Sequence, residues 1–171
     1  MIKTFDNLLS NKTLEMFHRD MQLLMSDSNA IQWNVSLFNW SNEIKDSVVG
    51  CCYQRDVSDE LNELITQDLL NVGAVKSTDK VCAKHYMWDR NSGIALHGDS
   101  HIKRSVTIYM NEEWNPNWGG IFVYQNEDDN WNAVMPKFNT AVMNDQHVKH
   151  MVTHVSALSP DIRVTIQCWI H

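Results

Sequence analysis

At 171 residues the chain has the length of one domain, and its 43% apolar and 20% charged residues supply a packed core, which excludes a disordered tail. Fourteen Lys and Arg against 21 Asp and Glu give a formal charge of −7, which argues against binding nucleic acid or an anionic membrane through charge alone. No apolar run approaches the roughly 18 residues of a membrane span, and MIKTFDNLLS lacks the apolar stretch of a signal peptide, so the expectation is a soluble, cytoplasmic protein.

In chain order, the first pattern is a stripe of Leu14, Phe17, Met21, Leu24 and Met25 at helical spacing, preceded by Ser10, Asn11 and Thr13, each able to cap it. Ile31 to Trp40 and Ser47 to Tyr53 run in short apolar bursts, as strands do. A second helical stripe, Leu61, Leu64, Ile65, Leu69 and Val72, follows Ser58 and stops at Gly73, a C-cap residue. Both helices are expected to back a sheet. Beyond Gly73 the chain breaks into β-like runs: 81–88, 105–111, 121–125, 131–135, 140–143, 150–155 and 162–170. Their separators, such as DRNSG, NEEWNPNWGG and NEDDN, are rich in turn residues. Closely spaced short strands with no helix between them point to a sandwich or double-sheet barrel. Cys51, Cys52, Cys82 and Cys168 form no CxxC and read as reduced, mostly buried thiols.

Seven Trp and eight His exceed what a plain core requires. The sharpest local feature is His97-Gly98-Asp99. On extended backbone, residues two apart share a side, so imidazole and carboxylate reach one ion together. Downstream, Val148 to Val155 puts His150 and His154 on one face with Val152 between them. Two imidazoles and one carboxylate make the facial triad suited to non-haem Fe(II), with three coordination positions left open. Zinc favours a closed, cysteine-containing set, which is absent. Arg163, among alternating Val164, Ile166 and Cys168, reads as an inward partner for a buried anion. Tyr109 and Thr107 share a face, His101 and His147 read as surface residues, and Gly119-Gly120 as a turn with positive φ. Trp114, Trp118 and Trp131 fall in loops or at strand ends, where substrate contact and plain packing are equally open.

The run from His85 to Gly120, HYMWDRNSGIALHGDSHIKRSVTIYMNEEWNPNWGG, resembles the core of Fe(II)/2-oxoglutarate-dependent dioxygenases of the prolyl 4-hydroxylase type. The likeness rests on an aromatic (Tyr86 or Trp88), Gly93, His97 with Asp99, the triplet Tyr109-Met110-Asn111, Trp114, and Gly119-Gly120. Further on, Pro136 to Met143 resembles the segment before the family's distal His, His150 to Val155 its HxVxxV pattern, and Arg163 to Trp169 its closing basic strand. This covers about the last ninety residues in order; the first eighty carry no such motif. The resemblance implies a mainly β double-stranded β-helix, or jelly roll, with N-terminal helices packed on one sheet. It also implies a single domain over 1–171, with 1–80 as support and 81–171 as the catalytic core.

By the same resemblance, His97, Asp99 and His150 would hold Fe(II). Arg163 would grip the distal carboxylate of 2-oxoglutarate with its planar fork, Tyr109 would add a hydroxyl donor, and Tyr86 and Thr107 would contact the cosubstrate. O2 is the further cosubstrate, and ascorbate a candidate accessory. The distal ligand has two candidates. His150 lies eleven residues after Asn139 and sets Val152 and Val155 on the pattern, whereas His154 lies nine residues before Arg163, nearer the family's spacing. Asn144 departs from the family, where many relatives carry an apolar residue. The implied reaction is hydroxylation of an unactivated C–H bond, first of all in a prolyl side chain of a peptide or protein, with release of succinate and CO2. A free amino acid or other small molecule, and a metal-binding jelly roll without turnover, are the alternatives. A nucleic-acid demethylase is disfavoured by the −7 charge and the lack of a Lys/Arg cluster.

Overall fold

The computed structural model describes residues 1–26, 34–35, 46–99, 102–145 and 148–171. Ser10 opens the first helix, α1 (Asn11–Ser26): its carbonyl accepts the Leu14 amide at 3.0 Å and its hydroxyl lies 3.4 Å from the Thr13 amide, which satisfies N–H groups that have no partner within the helix. Ser58 caps α2 (Asp59–Asn71) by accepting the Leu61 amide, and Asp59 and Glu60 occupy the positive first turn. Gly73, at φ 69°, ends it, with the Ala74 amide returning to the Leu69 carbonyl. Met25, the last member of the predicted stripe, is 67% exposed and takes no part in the core.

The strands are β1 (Ile2–Phe5), β2 (Asn34–Val35), β3 (Val48–Val49), β4 (Cys52–Asp56), β5 (Val81–Trp88), β6 (Gly93–His97), β7 (Arg104–Tyr109), β8 (Phe122–Gln125), β9 (Trp131–Val134), β10 (Ala141–Asp145), β11 (His150–Val152) and β12 (Arg163–Ile170). They form two sheets, ordered β1-β10-β7-β12-β5-β4-β2 and β3-β6-β11-β8-β9, with antiparallel pairing throughout the described residues. The fold is the expected mainly β jelly roll, with both helices on the outer face of the larger sheet.

Alternation along β12 shows how one strand serves two purposes. Val164, Ile166, Cys168 and Ile170 face the helices, packing with Phe17, Leu61, Ile65 and Leu69. Arg163, Thr165, Gln167 and Trp169 face the space between the sheets. Strands β5 and β7 divide likewise: Val81, Ala83, Val106 and Ile108 enter the helix-side core, while Tyr86, Trp88 and Thr107 line the interior.

Several predicted runs differ in detail. The run 47–53 is two strands, broken at Gly50 (φ 73°), where a Cβ would meet Ser92. The edge strand β1 escaped detection, since four residues carry too little periodicity. The run 150–155 ends as a strand at Val152 after a register shift, and Val155 keeps an isolated bridge to Gly119. Most of 31–40, together with His101 and His147, lies outside the described residues. All four cysteines are free, Cys52 and Cys168 buried and Cys51 and Cys82 half-buried. Burial pushes the Cys168 thiol up to about 12 and Cys52 upward as well, which leaves both inert as nucleophiles. No helix of the described residues is long and apolar enough to cross a membrane.

Candidate metal centre

Strand β6 ends at His97 and β11 begins at His150, and the two are direct cross-strand partners in the smaller sheet. Their rings lie 4.3 Å apart between centroids. Asp99, two residues past the end of β6, turns its carboxylate between them, with 3.7 Å from Oδ1 to His97 Nε2 and 3.7 Å from Oδ2 to His150 Nε2. One ligand atom from each residue falls within 4.8 Å of the others. This N, N, O set on one side of a point fits a divalent ion with open coordination positions.

Surrounding groups aim each ligand. His97 Nδ1 donates to the Ala95 carbonyl at 2.9 Å, and His150 Nδ1 to the Val148 carbonyl at 2.9 Å, so both Nε2 lone pairs face Asp99. Phe122 stacks on His150 at 5.0 Å, and the Ser105 hydroxyl on β7 donates to Asp99 Oδ2 at 2.8 Å. Burial, then the neighbouring His150, hold the His97 imidazole below its ordinary range, against the opposing pull of the Ala95 carbonyl and Asp99. The neutral, ligating form is therefore favoured.

Asn144 acts on this arrangement both directly, its Nδ2 lying 3.1 Å from His150 Nδ1, and through Val148. Its Oδ1 accepts the Val148 amide at 3.1 Å and its Nδ2 donates to the Val148 carbonyl at 3.1 Å, clamping the peptide group that orients His150. The clamp explains a buried Asn at a position where the family pattern is apolar. Asn144→Leu is expected to weaken Zn(II) or Co(II) binding about 10–100-fold, as loss of a ligand's hydrogen-bond support does. A chelator-competition titration measures this, and an unchanged affinity would show that Val148 is held without Asn144.

The triad opens on a cavity of about 230 Å³ between the sheets, walled by Trp88, Ile94, Phe122 and Val152 and floored by Arg163. Arg163 is 1% exposed, and its Nε and Nη2 have no partner among the described residues. The guanidinium sits over the Tyr109 ring at 5.3 Å. A buried, unpaired cation facing a cavity is costly unless an anion enters to meet it. Gly120 makes room for it: a Cβ there would lie 2.6 Å from Arg163 Cδ, and φ is 64°. Asn111 steadies the strand on both sides of Arg163, donating to the Ile162 carbonyl at 2.9 Å and accepting the Val164 amide at 2.7 Å.

The remaining predicted residues fall as follows. Tyr109 is buried beside Arg163 with its hydroxyl unpaired among the described residues, and burial raises its pKa, keeping it a protonated donor. Tyr86 lines the cavity, as does Thr107, whose hydroxyl donates to Gln167 Oε1 at 2.7 Å; Thr107 thus offers an incoming molecule only an acceptor. His154 does not share a face with His150. It is exposed and packs against Gly93, at the opposite end of β6 from His97, roughly 13 Å along the strand. Trp114 donates to the Gly119 carbonyl and packs edge-on with Trp118, whereas Trp131 is exposed. Sequence reasoning missed Ser105, the clamp by Asn144 and Gln54, a buried residue of the cavity wall; none of them stands in a motif.

Residues 81–171 match the family described as the 2OG-Fe(II) oxygenase superfamily. Among solved structures, the chain is similar to a prolyl-4-hydroxylase from Pseudomonas putida, with 14% identity over 99% of this chain and 91% of that one and a TM-score of 0.72. It is similar to a prolyl hydroxylase from Trichoplax adhaerens in complex with a hypoxia inducible factor oxygen degradation domain peptide, with 15% identity over 99% and 82% and a TM-score of 0.72. It is also similar to HygX from Streptomyces hygroscopicus with nickel, 2-oxoglutarate and hygromycin B bound, with 9% identity over 99% and 82% and a TM-score of 0.64. No curated protein matches the chain.

Proposed function

Because the chain belongs to the 2OG-Fe(II) oxygenase superfamily, we propose that it hydroxylates an unactivated C–H bond of a prolyl side chain in a peptide or protein, consuming 2-oxoglutarate and O2 and releasing succinate and CO2. The observation that carries this reading is the pairing, in one cavity, of a convergent His97–Asp99–His150 set with a buried guanidinium that has no acid partner. In this reading the whole chain works as one unit, with 81–171 carrying the chemistry and 1–80 bracing the larger sheet.

When bound, Fe(II) supplies the oxidising chemistry that couples decarboxylation of the cosubstrate to C–H hydroxylation. His97, Asp99 and His150 hold the ion, their tautomers and orientation set by the Ala95 and Val148 carbonyls and by Ser105. Arg163, whose Nε and Nη2 have no partner among the described residues, would take the distal carboxylate of 2-oxoglutarate, and the Tyr109 hydroxyl would add a further donor. Tyr86 borders the same molecule. Trp88, Ile94, Phe122 and Val152 exclude water from the reacting groups. A peptide substrate is supported by the likeness to the peptide-bound Trichoplax protein. A small-molecule substrate is the second reading, and the likeness to the Streptomyces protein bound to hygromycin B favours it.

The test is succinate release with Fe(II), 2-oxoglutarate and a panel of prolyl peptides, amino acids and small molecules, with products examined for a mass gain of one oxygen. Iron-dependent succinate with an oxidised prolyl peptide is the expected result. Oxidation of a small molecule alone would favour the second reading, and no iron-dependent turnover would overturn both.

A further inference from the structure

The cross-strand register arranges the interior of the larger sheet into rungs. Cys52, Trp88 and Arg163 form the deepest, and Gln54, Tyr86, Thr165 and Tyr109 form the next. Above them come Asp56, Lys84, Gln167 and Thr107, and then Trp169 with Ser105, the residue that holds Asp99. The line from Asp99 to Arg163 therefore runs over β7 and β12. Gln54 sits two strands to the side, on β4, roughly 10 Å from β12, and faces the flank that this line leaves free.

Gln54 is 3% exposed, lines the cavity, and its Nε2 has no partner among the described residues. Buried amide donors are nearly always paired, so a donor left open in a cavity wall looks to an incoming acceptor. The same flank is poor in free charge. Lys84 is bonded to Asp56 at 3.1 Å, and Arg163 is the one Lys or Arg of the described lining without an acid partner. With Arg163 committed to the cosubstrate, the described lining offers a second carboxylate no Lys or Arg that lacks an acid partner, whereas Gln54 offers a neutral donor suited to a carbonyl.

Resting on the function proposed above and deepening it, we propose that Gln54 is a substrate-binding residue whose Nε2 donates to an amide carbonyl of the substrate, so that the enzyme selects an amide-flanked residue within a peptide over the free amino acid. The probes are a pool of acetylated, amidated prolyl peptides and free proline, titrated against Zn(II)-loaded protein saturated with 2-oxoglutarate. The wild type is expected to bind the capped peptides at least about tenfold more tightly than free proline. Gln54→Leu is expected to lose about tenfold in capped-peptide affinity, the scale of one buried hydrogen bond, while its zinc and 2-oxoglutarate affinities stay within about twofold.

Those two affinities also report whether the variant folds, and Gln54→Asn, which keeps the carboxamide on a shorter stem, supplies a second folded comparison, expected to fall between wild type and Leu. Wild type without preference for capped peptide, a capped-peptide affinity unchanged in Gln54→Leu, or a parallel loss of 2-oxoglutarate affinity would each overturn the assignment. Iron-dependent succinate release without peptide preference would sink this inference alone. Peptide binding without succinate release would sink the proposed reaction alone.

Discussion

Replacing Arg163 by alanine is expected to raise the 2-oxoglutarate concentration for half-maximal turnover on the order of thirty- to a thousand-fold, equivalent to about 2–4 kcal/mol, without lowering the stability of the ligand-free protein. The two effects separate because the guanidinium is buried and its Nε and Nη2 are unpaired. In the ligand-free state that cation is a desolvated charge with no acid partner, compensated only by the Tyr109 ring beneath it, and removing it relieves a penalty. Once a carboxylate is present, the same group supplies a charge-assisted pair in a low-dielectric site. Thermal denaturation of the Ala variant should therefore show an unchanged or higher midpoint without 2-oxoglutarate and almost none of the ligand-induced rise seen for the wild type. Arg163→Lys keeps the charge but loses the planar fork, and should fall between the two. An unaltered 2-oxoglutarate requirement in the Ala variant would remove Arg163 from the site.

Asp99→Ala should abolish iron-dependent succinate release and weaken divalent-metal binding by more than about 100-fold, beyond what loss of a supporting hydrogen bond produces. The substitution removes the only oxygen donor of the convergent set and leaves two imidazoles 4.3 Å apart with nothing anionic between them. Titration with Co(II), followed by its visible spectrum, measures the loss; wild-type affinity would exclude Asp99 as a ligand. The wild-type site should also hold metal in mild acid. Burial and His150 lower the His97 pKa, so as pH falls the ring stays neutral, and competent to ligate, until below the ordinary imidazole value of about 6.5. Release centred at or above that value would indicate a solvated, ordinary imidazole.

What the sequence disclosed depended on the length of each signal. Helix α2 was legible because five apolar residues repeat at helical spacing between a Ser cap and a Gly stop, and the structure has it at Asp59–Asn71. A sandwich or double-sheet barrel was legible from many short runs divided by turn residues, and the jelly roll only through the family resemblance. His97, Asp99, His150 and Arg163 stood out because several short motifs recur in one order. Spacing from Asn139 favoured His150 but left His154 as an alternative, since their separation in space turns on a register shift after His150 that no local pattern encodes. Gln54 and Ser105 were invisible for a related reason: the surroundings of each are set by pairing within and between the sheets. Tyr86 meets Gln54 only through strand pairing, and Asp99, though close to Ser105 in the chain and prominent as a motif, meets it only where the chain crosses from one sheet to the other.

His97 and His150 hang from the five-stranded layer, whereas Asp99 is tied through Ser105 to the seven-stranded one. A cation shared among the three would thus rivet the two layers at the rim of the sandwich. Loading should then damp their breathing, slowing amide exchange in β7 and β11 together, and stripping the ion should release both, so that the scaffold stiffens in the same event that readies it for catalysis.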